Sequence, residues 1–342
     1  MSLDFHNASA LIEDEPGAHN DTPVADDIQH DITPQDIAMN VAISLATQIP
    51  KKNRETLRRA ARFSTLLPVY SRNSRLPVCS TATLDTRYML EGEDYQDCFM
   101  RSAKTMASNI GHAERLYYYI SNQWFTPATP NITNLGAPSG LPISCFLNEV
   151  LDSMEGIVST RVENVWLGVN GGGTGSYWGQ VRSINENIGK RGKTSGVVPF
   201  LRVSDAMTLA ISQGGQRRAM NASYLPIWHP EIEEFIDIRR PTGGDPNRKA
   251  LNLHHGVAIP DEFMVAVAND DMWNLISPKT GEVIRSISAR GLWIRLLTAR
   301  MEQGEPYILN IGPINNMMPW YQKAFGLEIK MSNLCCEITL PT

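Results

Sequence analysis

Hydrophobic and polar positions change rhythm partway along the chain. From residue 32 the apolar residues recur at helical spacing: Ile37, Val41 and Leu45 mark one face, with Thr33 placed as N-cap, Pro34 at the first helical position and Asp36 in the first turn. Helical sequence continues through NRETLRRAARF and SAKTMASNIGHAERLYYYISNQWF, so residues 32 to 125 read as a helical N-terminal region. The character then turns to loop chemistry in TPATPNITNLGAPSG, residues 126 to 140. Beyond it, strand-like runs (LPISCFL, ASYLPIW, LNLHHGVAI, PYILNI) alternate with helical ones. The helices are VVPFLRVSDAMTLAIS, with Val203, Met207 and Ile211 on one stripe, a segment begun by Pro230 and stopped before Pro241, PDEFMVAVAND, and ARGLWIRLLTARMEQG with its Gly stop. That alternation predicts an α/β architecture with largely parallel strands over residues 126 to 342.

The last residues, MSNLCCEITLPT, show a second rhythm. If 332 to 338 is a strand, Asn333, Cys335 and Glu337 share one face, and Leu334, Cys336 and Ile338 the other. An amphipathic edge strand with one incidental thiol is the plainer reading of alternation alone.

Composition narrows the class. Residues 1 to 31 hold eight acidic residues and no Lys or Arg, without apolar periodicity, and read as a disordered acidic tail. A formal net charge of -5 argues against a surface that coats nucleic acid. No apolar run is long enough to span a membrane and no secretory signal opens the chain, which points to the cytoplasm. The five cysteines, Cys79, Cys98, Cys145, Cys335 and Cys336, are odd in number, and no C-x-x-C pair occurs. A disulfide framework or structural zinc site is therefore not expected.

The chemistry of the terminal triplet suits a polyol. A thiol can become a thiyl radical that abstracts hydrogen from carbon, a carboxylate can take a hydroxyl proton, and an amide can hold another hydroxyl. On these residues the chain resembles the large, catalytic subunit of ribonucleotide reductase, closest to the class I enzymes, over roughly residues 35 to 342. The resemblance implies a helical region followed by the first half of a ten-stranded α/β barrel. It makes Cys335 the thiyl-radical cysteine, Glu337 the base on the ribose 3′-hydroxyl, and Asn333 a hydroxyl anchor. Cys145, in LPISCF, would be one of two reducing thiols, with Thr129 and Ser144 lining the substrate pocket. In NGGGTGSYWGQVR, which taken bare is a tight turn or a phosphate-approaching loop, Gly172 and Gly173 would lie beside the substrate nucleotide. Asp152, Ser153 and Arg182 would hold a dNTP or ATP effector, with GKRGKTSG, residues 189 to 196, looping over its phosphates. SQGGQRRAMNA resembles the loop that passes effector identity to the substrate site, with Gln213 and Arg217 reading the base. His254 and His255, adjacent on a strand, face opposite ways and read as satisfied core or surface residues, not a metal pair.

The resemblance also sets expectations about partners. No cofactor is expected on this chain. The radical would come from a metal-containing small subunit and the electrons from thioredoxin or glutaredoxin. Dimerisation is expected through helices around residues 153 to 166 and 198 to 211. The family's second redox cysteine, paired radical-path tyrosines and C-terminal cysteines would fall past Thr342, so this chain is expected to be inactive without a complementary C-terminal half. Two alternatives stand beside this reading: a cobalamin-dependent class II reductase, and a non-catalytic nucleotide-binding protein.

Overall fold

The computed structural model of the chain describes residues 55–138, 140–190, 192–211 and 219–341. The expected acidic tail, the helix capped by Thr33, and the segment with Gln213 and Arg217 lie outside the described residues.

Three helices dominate the first part: α1 (Val78–Arg87), α2 (Tyr95–Met106) and α3 (Ile110–Ser121). Their boundaries are set by caps. Asp94 accepts from the Gln96 amide at 3.0 Å, and Asp97 returns a bond to the Asp94 amide, closing the start of α2. Asn109 accepts from the His112 amide at 2.9 Å and starts α3, which is why one long helical run in sequence becomes two helices. Leu84, Phe99, Met100, Ala103, Tyr117 and Ile120 form a small core here. The expected loop at 126 to 140 contains a short helix, α4 (Thr129–Asn134).

The rest is built on a five-stranded sheet. Its strands are β1 (Cys145–Glu149), β2 (Gly173–Tyr177), β5 (Met220–Pro226), β6 (His254–Ile259) and β9 (Tyr307–Asn310), in that spatial order and all parallel. Crossover helices join them, as parallel pairing requires. These are α5 (Met154–Val169), α6 (Val198–Ala210), α7 (Ile232–Ile236), α8 (Asp261–Asn269) and α9 (Ala289–Gln303). Between β2 and β5 lies the small hairpin β3 (Asn187–Ile188) and β4 (Gly192–Lys193). An antiparallel pair, β7 (Met272–Ile276) and β8 (Val283–Ser288), lies between α8 and α9 and is not foreseen by the periodicity. Its strands are short and interrupted by polar residues, and they are held by packing of Leu275, Trp273 and Ile287 on the main core.

The two sheet faces differ. Leu225, Val257 and Ile259 pack with Phe235, Phe263 and Leu296 beneath the helices, each buried side chain contributing about 1.5–3 kcal/mol. The opposite face carries Leu147, Tyr177, Ala222, Tyr224 and Leu309, covered by Met331 and Leu334. Two expectations change. The glycine-rich NGGGTGSYWG is not simply a loop: it supplies β2, buried along its whole length. The stripe of Val203 and Met207 on α6 is 44% and 41% exposed, while Val198, Leu201, Ser204 and Asp205 turn inward. Among the described residues no helix is long and apolar enough to cross a membrane.

His229, just past β5, is fully buried and makes two bonds as a neutral ring: Nε2 donates to the Val181 carbonyl at 3.0 Å and Nδ1 accepts from the Glu231 amide at 3.1 Å. Burial lowers its pKa to about 4. The unfolded chain therefore takes up this proton near pH 6.5 while the folded chain resists it. Stability is full above that pH and falls as pH drops toward 4, by roughly 3 kcal/mol from this group. Urea denaturation across this range should show a shallower pH dependence for His229→Gln than for wild type; equal slopes would contradict the assignment.

Candidate active site

Residues 332 to 338 do not form the expected strand. They fold into a turn in which the Cys336 amide donates to the Asn333 carbonyl at 3.2 Å and the Asn333 amide donates to the Ile338 carbonyl at 3.0 Å. The Asn333 side chain organises it: Oδ1 accepts from the amides of Glu337 at 3.0 Å and Ile338 at 2.9 Å. Cys336 takes a left-handed conformation, φ 65°. A short polar side chain that satisfies local amides competes with ladder pairing, and here it prevails. The alternation therefore does not describe the loop: Asn333 is fully buried, Cys335 and Glu337 are exposed, and Cys336 is half-buried. Asn333 Nδ2 is buried with no partner among the described residues, leaving both its N–H donors to give. Its Oδ1 is occupied, so Asn333 can hold a hydroxyl only by donating to it.

The loop is seated on the inner sheet face by missing side chains. A Cβ on Gly175 would lie 2.0 Å from the Ser332 carbonyl oxygen, and one on Gly173 would lie 2.6 Å from Leu334 Cδ2. A Cβ on Gly172 would instead lie 2.7 Å from the Phe146 ring and 2.9 Å from the Leu167 carbonyl oxygen. Tyr224 donates its hydroxyl to the Asn333 carbonyl at 2.8 Å. Cys145 is the register partner of Gly173, and two residues on, Leu147 packs on the inner face beside Leu334. Strand alternation gives Cys145 that same face. The loop with Cys335 and the half-buried Cys145 thus share one face of the sheet. Ser144 Oγ lies 3.6 Å from Cys145 Sγ, while Thr129 Oγ1 pairs with the Tyr88 hydroxyl at 2.8 Å on the helical side.

Charge around this face is organised by buried carboxylates. Burial alone would raise the Glu305 pKa, but bonds from His254, His255 and Arg239 outweigh it and hold the carboxyl well below the usual range. Sequence reasoning placed both histidines apart from a metal; one carboxylate in fact ties them together. Tyr307, stacked on the His254 ring, has its pKa pushed up to about 12 by burial, by Glu305, and by the thiols of Cys335 and Cys336. At the far end of the loop Lys330 pairs with Glu149 at 2.9 Å.

A second polar cluster lies at the start of α5. Arg182 Nε donates to both Asp152 carboxylate oxygens, at 2.9 and 2.8 Å, and Arg182 Nη1 reaches the Asn187 carbonyl on the β3–β4 hairpin. The structure therefore brings Asp152 and Arg182 beside the strand β3 that opens the hairpin. Ser153 is used as the N-cap of α5, accepting from the Gly156 amide at 2.9 Å. Sequence reasoning missed Tyr224, which carries no recognisable pattern on its own, and the role of Gly175, whose glycine-rich segment reads as a turn or phosphate loop.

Comparison with known proteins agrees along the chain. Residues 143–342 match the ribonucleotide reductase barrel domain and residues 75–140 the ribonucleotide reductase all-alpha domain. A protein of Frog virus 3 is 46% identical over 230 residues, covering 67% of this chain and 39% of its own length. The ribonucleoside-diphosphate reductase large subunit of Invertebrate iridescent virus 6 is 41% identical over 273 residues, covering 78% of this chain and 28% of its own length. Among solved structures, the Actinobacillus ureae class Id ribonucleotide reductase alpha subunit superposes with a TM-score of 0.66 at 26% identity, covering 81% of this chain and 48% of that one. The chain thus spans less than half the length of each of these three proteins.

The thiols should separate by reactivity. Cys98 is buried, and burial pushes its pKa up to about 12, whereas Cys79 and Cys335 are exposed. Iodoacetamide at neutral pH should label Cys79 and Cys335 in the native protein and leave Cys98 unlabelled until denaturant is added. Early labelling of Cys98, read by peptide mass spectrometry, would contradict the described core.

Proposed function

Because the chain belongs to the ribonucleotide reductase large-subunit family, we propose that it works as part of a catalytic subunit that reduces ribonucleoside diphosphates to deoxyribonucleotides by radical chemistry. What supports this reading is that the Cys335 loop packs on the sheet face that Cys145 also occupies, with the buried Asn333 amide nitrogen unpaired among the described residues.

The proposed sequence gives each group a distinct role. A radical delivered by a separate metal-containing small subunit makes Cys335 a thiyl, which takes the hydrogen atom from C3′. Glu337, exposed on the same loop, takes the 3′-hydroxyl proton. The 2′-hydroxyl takes a proton from one of two reducing thiols, Cys145 and a second one, and leaves as water. The two thiols then supply two electrons and their remaining proton to C2′ and become a disulfide, later reduced by thioredoxin or glutaredoxin. Glu337 gives its proton back to the 3′-oxygen as the hydrogen atom held on Cys335 returns to C3′, restoring the thiyl. Asn333 Nδ2 orients a ribose hydroxyl, and Ser144, beside Cys145, lines the pocket. The resemblance places the second thiol beyond residue 342. In the described sheet β1 and β9 are edges, which supports a reading in which further strands complete the barrel and activity needs them.

Likeness to a class Id alpha subunit favours class I over the cobalamin-dependent alternative. The Asp152–Arg182 pair beside the basic hairpin supports a dNTP or ATP effector site, with Arg182 offering its fork to phosphate and Asp152 a hydroxyl acceptor. On α5, Met154, Val158 and Trp166 are 62%, 48% and 46% exposed at four-residue multiples, which supports homodimerisation through α5 and α6. The cytoplasm, where thiols stay reduced, suits this chemistry.

The test is CDP reduction by the complete large subunit with its small subunit and a thioredoxin system. Cys335→Ala should abolish turnover, and Glu337→Gln should lower kcat by about 10²–10⁴-fold. Effector binding without any CDP reduction by the wild-type assembly would favour the non-catalytic reading instead.

A further inference from the structure

Tyr224 sits in the middle strand of the sheet, fully buried, with its ring over Gly256 of the neighbouring strand. A Cβ on Gly256 would come within 2.5 Å of that ring, so the ring holds this position because the neighbour has no side chain. From there the hydroxyl reaches 109 residues along the chain to the Asn333 carbonyl, at 2.8 Å. The same carbonyl accepts the Cys336 amide at 3.2 Å. It is therefore the first acceptor of the turn that presents Cys335, held from below by the sheet and from within by the turn.

Other hydrogen bonds that shape this loop are local. Asn333 Oδ1 serves Glu337 and Ile338, and Ser332 Oγ donates to the Ile338 carbonyl at 2.8 Å. Such bonds give the loop its shape but do not fix its height above the sheet. Packing of Leu334 on Gly173 and of Ser332 on Gly175 sets a closest approach without a direction. The Tyr224 hydroxyl adds a directed, buried bond from a rigid strand. A misplacement of about 1 Å at a reacting atom can cost about 10²-fold in rate.

We propose that Tyr224, seated over Gly256, is a positioning residue that anchors the thiol-bearing loop through the Asn333 carbonyl and so sets where Cys335 meets the substrate carbon. The proposal rests on the reductase reading for its last clause only; the anchoring itself is independent of it. Tyr224 is not one of the reacting groups: its hydroxyl donates to the loop backbone beside the side chains of Ser332 and Cys336, and its burial raises its pKa, with Cys336 adding to the effect, so it stays neutral.

The experiment is Tyr224→Phe in the complete large subunit, read two ways. Amide exchange of residues 333 to 338, followed by mass spectrometry, should quicken about tenfold while β5 and β6 keep their protection, as expected for loss of one buried hydrogen bond. With the small subunit present, kcat for CDP should fall about tenfold or more with KM and effector affinity unchanged. Gly256→Ala keeps the hydroxyl but displaces the ring, and should quicken the same loop amides. Unchanged loop exchange in both variants, or a rise spread evenly over the whole sheet, would overturn the proposal, as would a rise in KM at constant kcat. If the wild type reduces no CDP but the loop-specific exchange appears, the reductase reading falls and the anchoring stands.

Discussion

Two absent side chains hold the candidate site together. Residues 332 and 334 can lie against β2 only because positions 173 and 175 are glycine: a methyl group at Gly175 would overlap the Ser332 carbonyl. Backbone-to-backbone approach of this kind is open to glycine alone, whatever the phosphate chemistry of glycine-rich segments elsewhere. The thiol loop is thus registered against an interior strand, β2, instead of hanging from its own ends. Register then does the rest, since Gly173 is paired with Cys145.

A strand stripped of side chains on one face must be supported on the other. Beneath β2, Thr174 and Ser176 join a buried polar ladder instead of an apolar layer. Asn221 Nδ2 donates to Thr174 Oγ1 at 2.7 Å and Ser176 Oγ at 3.1 Å, and Ser176 Oγ donates to Asn148 Oδ1 at 2.8 Å. Asn164 and Glu163 of α5 extend the same network. Directional bonds specify a unique arrangement where packing area is scarce. They also link β1, β2, β5 and α5, the helix that begins beside the Asp152–Arg182 cluster, to the strand under the loop.

Much of this could be read from residue patterns. The crossover helices α6 to α9 and strands β1, β5, β6 and β9 follow from periodicity and from Pro and Gly punctuation, and Cys145, Asn333, Cys335 and Glu337 stand out by chemistry. Three features were hidden, each for a physical reason. Period-two alternation at 332 to 338 looks like a strand, but Asn333 spends its side chain on the amides of 337 and 338 and makes a turn. GGGTGSY looks like a loop because its stability as β2 comes from tertiary contacts, not from propensity. Tyr224 and Gly256 are two ordinary strand residues until the fold stacks one on the other. The Gln213 and Arg217 segment lies outside the described residues.

The central claim is that Cys335 and Cys145 converge on one ribose from the loop and from β1. A crystal structure of the complete large subunit with a bound ribonucleoside diphosphate tests it most directly. The account predicts C3′ in contact with Cys335 Sγ, C2′ on the Cys145 side, and Asn333 Nδ2 donating to a ribose hydroxyl. A diphosphate bound with its ribose remote from the 331 to 338 loop, or a loop lifted off Gly173 and Gly175, would contradict it.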